Sequence, residues 1–91
     1  MEFIVYGHEI ISGSDVGMHY DTSLERSKMQ AAAYREALRQ LNPSSAPMTL
    51  AIYELIMQLP DVPTMIILLN SPQAIFSTCL VSRRVVTLSI E

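Results

Sequence analysis

The side chains with chemical reach are few, and they sit close together. Both histidines of the chain, His8 and His19, lie near its start with the carboxylate of Asp21. Two imidazoles and a carboxylate are donor types that suit a zinc-like ion, and the same groups are the only candidates for acid–base chemistry. Their meeting depends on the strands beneath them. Residues 2 to 12 alternate in β-prone types and end at Ser12-Gly13-Ser14-Asp15, where glycine at the first central position suits a two-residue type II′ turn. The resulting β-hairpin pairs positions that sum to 27, so His8 stands directly opposite His19, with Asp21 diagonal to His8 and beside Tyr6. Directly paired positions hold their Cβ atoms ~5 Å apart, close enough for a shared ligand.

The same register sorts side chains by face. Phe3, Val5, Ile11, Val16, Met18 and Tyr20 fall on one side, interrupted only by Glu9. Tyr6, His8, His19 and Asp21 share the other with Ile4 and Ile10. The histidine spacing follows no zinc motif, and two histidines with two aromatics on an exposed sheet face are more often a solvated polar patch. No metal or cofactor is therefore predicted, and no catalytic residue is assigned.

Other chemistries have less to stand on. Cys79 lies among Phe76, Leu80 and Val81, where a thiol behaves as a small hydrophobe. Ser12, Ser14 and Ser71 occupy turn or cap positions, and the chain has neither a Gly-x-Ser-x-Gly elbow nor a glycine-rich phosphate loop. Asn70-Ser71, closing an apolar run, could face an anion with free amides, but capping explains them without glycine nearby. Arg26, Lys28, Arg35 and Arg39 belong to one predicted helix, the last three on one stripe. That stripe suits an acidic surface or a phosphate backbone, but an ordinary solvated helix face is the preferred reading, since amphipathic helices carry charged exposed faces.

Thr22-Ser23-Leu24-Glu25 has capping-box spacing, with Thr22 as the cap. The helix that follows carries an apolar stripe of Leu24, Ala31, Tyr34, Leu38 and Leu41 and stops at Asn42-Pro43. After the connector Pro43-Ser44-Ser45-Ala46-Pro47, residues Met48 to Leu59 are apolar almost all round and predict a second, buried helix. Pro60-Asp61-Val62-Pro63 is turn chemistry, and Met65 to Leu69, apolar at every position, predicts a central strand. Ser71-Pro72 then caps a helix bearing Ile75, Phe76, Cys79 and Leu80, with a strand over Ala74 to Val81 as the alternative. Val85 to Ile90 predicts the last strand.

The segment from Met48 to Ile75 resembles, in outline, the helix and strand of ribonuclease H-like domains. That resemblance implies carboxylates holding two metal ions. Asn70 and Thr49 stand where charge would be needed, so nothing is carried over from it.

These elements predict an α/β chain of the α+β two-layer kind. Its order is β-hairpin, two helices, strand, helix, strand, in a four-stranded mixed sheet with a right-handed parallel crossover and helices mainly on one face. A length of 91 residues, 49% of them hydrophobic and 16% charged, suits one domain over 1–91 and excludes a disordered tail. The net charge of −3 argues against nucleic acid as the partner. One cysteine, no leader pattern and no apolar run approaching the ~20 residues of a membrane span predict a soluble, cytoplasmic protein.

Helices on one side would leave a sheet face bearing Ile4, Tyr6 and Ile10 uncovered unless a helix crosses to it or another polypeptide covers it. The expected function is therefore a small non-enzymatic binding or regulatory module. It would act by protein–protein contact and self-associate, as a homodimer, through Ile4, Tyr6, His8, Ile10, His19 and Asp21. The alternative is a small metal-dependent enzyme built on His8, His19 and Asp21.

Overall fold

The computed structural model describes residues 1–13, 17–43 and 49–89. Four strands and three helices follow in the order β1 (Glu2–His8), β2 (His19–Asp21), α1 (Leu24–Leu41), β3 (Leu50–Gln58), α2 (Val62–Asn70), a 3-10 turn at Pro72–Ala74, α3 (Ile75–Cys79) and β4 (Leu80–Ser89). The strands form one sheet in the order β2-β1-β3-β4, antiparallel throughout. The α+β class and the four strands agree with the sequence. The parallel crossover does not occur, and the sheet is not mixed.

The expected hairpin register is present. Tyr6 pairs with Asp21, Gly7 with Tyr20 and His8 with His19, each pair summing to 27. Gly13 takes the positive φ of 79° that the turn requires of it. The rest of that turn, with Val16, lies outside the described residues.

Two segments exchange identities. Residues Leu50 to Gln58, expected as helix, form β3, and Met65 to Leu69, expected as the central strand, lie in helix α2. β3 sits between β1 and β4 with both faces covered, so Leu50, Ile52 and Leu55 are wholly buried. A strand buried on both faces reads as continuously apolar, which periodicity alone cannot tell from a buried helix. The signal for α2 is at its start. Asp61 is the N-cap, its carboxylate accepting the Thr64 amide at 2.9 Å, and Pro63 stands in the first turn where its missing N–H costs nothing. The outline likeness to ribonuclease H-like domains falls with this exchange, since its helix is a strand and its strand a helix.

Helix α1 starts one residue later than expected. Ser23, not Thr22, is the N-cap and accepts the Arg26 amide at 3.2 Å. It ends at Asn42 as predicted, and the connector from Ser44 to Pro47 lies outside the described residues. Ser71, the expected side-chain cap, makes no capping side-chain bond, although the 3-10 turn and α3 after it bear out helix rather than strand there.

The helices divide between the two faces, against the expectation of one covered side. α1 lies over the face of His8, where its Tyr34 ring stands 6.2 Å from the His8 ring and its Ser27 and Ala31 are fully buried. α2 and α3 lie on the other face, where Cys79 joins Met18, Leu55 and Met57 in a core cluster flanked by Val5, Tyr53 and Leu68. The crossing of α1 covers the expected open sheet face at its His8 end.

Candidate functional site

Antiparallel register lines up side chains in rows across the sheet, because directly paired residues project to the same face. Asp21, Tyr6, Glu54 and Arg84 form one row spanning all four strands. Tyr6 donates from its hydroxyl to Glu54 at 3.5 Å, and the Arg84 Nε–H donates to Glu54 at 3.0 Å. This bond, followed by the Coulombic pull of the same carboxylate, raises Arg84 above the ordinary guanidinium range. His19, His8, Ile52 and Thr87 form the next row. Neither Glu54 nor Arg84 stood out in the sequence, since only the strand identity of 50–58 brings Glu54 beside Tyr6 and Arg84 beside Glu54.

The two histidines meet as expected, with ring centroids 5.2 Å apart. His8 is buried, and its Nδ1–H donates to the Glu9 carbonyl at 2.9 Å. His19 is exposed, its Nε2 lying 3.7 Å from the Asp21 carboxylate. The Asp21 side chain, only 7% exposed, also turns toward Arg26 Nε at 3.7 Å, at the start of α1. Among the described residues no group of three or more His, Cys, Asp or Glu side chains converges as a metal site would require. A pocket of about 390 Å³ beside the pair is lined by Ile10, Gln30, Ala33 and Tyr34, so α1 stands where a partner was expected to reach His8. Of the six predicted contact residues, Ile4 and His19 are exposed, Tyr6 and Ile10 half-buried, and the His8 and Asp21 side chains withdrawn.

The cationic stripe of α1 is largely neutralised locally. Lys28 pairs with Glu25 at 3.8 Å and Arg39 with Glu36 at 3.4 Å, each three residues apart on the helix. Cys79 is buried in the core cluster, as its apolar neighbours implied.

The opposite side of the molecule holds what sequence reasoning missed. No residue of α2 is buried, although between Asp61 and Arg83 the chain carries no Asp, Glu, Lys, Arg or His. Leu68 points back to the core cluster, while Val62, Ile66 and Leu69 are 76%, 51% and 69% exposed. Positions 62, 65, 66 and 69 have i, i+3, i+4, i+7 spacing, which is one face of a helix. In α2 that apolar face is 44% to 76% exposed. Beside it, Met65, Leu69, Ile75 and Phe3 rim a hollow of about 310 Å³ between α2–α3 and the sheet, floored by Met57 and Cys79. The signal available in the sequence was the charge-free run itself, read there as a buried strand.

No protein-family model matches the chain, and no curated protein or solved structure matches it either. Among the described residues, no helix is long and apolar enough to cross a membrane.

Proposed function

We propose that this protein is a small non-enzymatic binding or regulatory module that acts by protein–protein contact through the outward face of α2 and the adjoining hollow. The observation that carries the reading is the Val62/Met65/Ile66/Leu69 stripe, a helix face of core composition that stands exposed beside an apolar hollow. Contiguous apolar surface of several hundred Å² marks an interaction site, because leaving it in water forgoes about 25 cal/mol for each Å² that burial would remove. A lone buried thiol suits a reducing, cytoplasmic setting.

Capture from extracts of the native host with tagged wild-type protein and tagged Leu69→Asp tests this. The wild type should retain a stoichiometric protein that the variant loses, with circular dichroism unchanged between them. Equal recovery by both would remove α2 from the contact.

A further inference from the structure

We infer that the occupant of this face is a second copy of the same chain, docked about a two-fold axis so that the α2 stripe of each protomer fills the hollow of the other. This rests on the contact reading above and names its partner. Three observations select a second copy.

The face holds both halves of a complementary pair. An outward apolar ridge, Val62, Ile66 and Leu69, lies directly beside an apolar hollow rimmed by Met65, Leu69 and Ile75. A ridge and a hollow far apart on a molecule would join copies head to tail into an open chain. Side by side, they close on themselves under two-fold symmetry. The absence of charge matters in the same way. A two-fold axis brings a surface against its own image, so any charge near the axis meets its like, and from Val62 to Ser82 there is none to repel.

Exposure and composition agree with that partner. A standard interface takes about 800 Å² from each side, and this face offers Val62, Met65, Ile66, Leu69 and Ile75, each 42% to 76% exposed, toward it. Transient hetero-interfaces are about as polar as ordinary surface, whereas homodimer interfaces are more apolar, as this face is. A membrane surface fits poorly, because helices that lie on one carry Lys or Arg on their polar side and α2 has neither.

Sedimentation velocity from about 1 to 100 µM, a range in which dimers of this size associate, tests the inference on the full chain. The wild type should sediment at twice its 10.2 kDa mass. Ile66→Asp should weaken association about 100-fold by stranding a charge in the desolvated contact. Its far-ultraviolet circular dichroism should stay unchanged, since Ile66 is exposed. Leu69→Gln, uncharged, should weaken it less, and Met29→Asp, exposed on α1 over the other face, should leave the dimer intact. A wild type that stays monomeric, or a dimer indifferent to Ile66→Asp but broken by Met29→Asp, overturns the inference. A monomeric wild type whose host partner is still lost on Leu69→Asp would refute the second copy while sparing the contact reading, and a monomer with no Leu69-dependent partner would refute both.

Discussion

Glu9 meets Ala51 with its side chain where a strand would use its carbonyl. The carboxylate accepts the Ala51 amide at 2.6 Å, while the Glu9 N–H donates to the Ala51 carbonyl at 3.0 Å. The Glu9 carbonyl is thereby left for His8 Nδ1–H. A carbonyl only accepts, so Nδ1 is the protonated ring nitrogen in this arrangement. This exchange explains why an acid sits at the end of β1 on an otherwise apolar face and is buried there.

Glu9→Ala should therefore destabilise the fold by about 1.5 to 3 kcal/mol, because it leaves a buried amide without an acceptor. Glu9→Gln keeps an oxygen in place and should lose less than half as much. Urea titration of the three proteins checks this, and equal losses for Ala and Gln would show that the charge matters rather than the bond.

The exchange of strand and helix between 50–58 and 65–69 changes which side chains carry stability. Ile52→Ala and Leu55→Ala should each cost about 2 to 5 kcal/mol, since both side chains are enclosed between sheet and helices. Ile67, half exposed on α2, should cost under ~1 kcal/mol on the same truncation. Denaturant midpoints for the three variants distinguish this arrangement from one with 65–69 as the central strand, in which Ile67 would cost most.

What the sequence made legible follows from how local each signal is. The 6/21 and 8/19 pairs were readable because a glycine-bearing turn fixes register over a short distance. The stop of α1 at Asn42 was readable because proline ends a helix by its own geometry. The identities of 50–58 and 62–70 were not, since runs dominated by apolar residues fit a two-sided strand and a buried helix alike. Glu54 and Arg84 were invisible for a related reason: Glu54 meets Tyr6 only once β3 lies beside β1, and Arg84 meets Glu54 only once β4 lies beside β3. The Asp61 cap was the local signal that favoured helix at 62–70, set against a run of Ile and Leu that suits a strand.

Gly7 and Tyr20 form a directly paired couple in which the ring lies over the missing side chain. A Cβ at Gly7 would stand 3.0 Å from Tyr20 Cδ1 and 3.1 Å from Cε1, so the ring would have to shift slightly to admit it. Tyr20 also touches Phe76 of α3, with ring centroids 5.8 Å apart. Gly7→Ala should shift Tyr20 against Phe76 and cost about 1 kcal/mol, despite the better strand propensity of alanine. A change in the Tyr20–Phe76 cross-peaks of a nuclear Overhauser spectrum would accompany it. A variant of wild-type stability with those cross-peaks intact would mean the ring has room that the geometry denies it.

The anchoring of α2 should depend on pH through Asp61. The Thr64 hydroxyl and then the Thr64 amide, both donating to the carboxylate, hold Asp61 below the ordinary carboxylate range. A group whose pKa is depressed by folding contributes stability that is present above its unfolded pKa and lost as pH falls through the folded one. Acid should thus fray the first turn of α2. Asp61→Asn keeps an acceptor at the cap, because asparagine serves there about as well as aspartate, and removes the titrating group. Amide hydrogen exchange at Thr64 and Met65 should accelerate, relative to the intrinsic rate, as the wild type is acidified, and stay flat in Asp61→Asn. The element that would loosen also carries the Val62/Ile66/Leu69 stripe, so the dimer should weaken over the same acid range in the wild type and not in the variant. Identical acid limbs for the two proteins would show that another carboxylate governs α2.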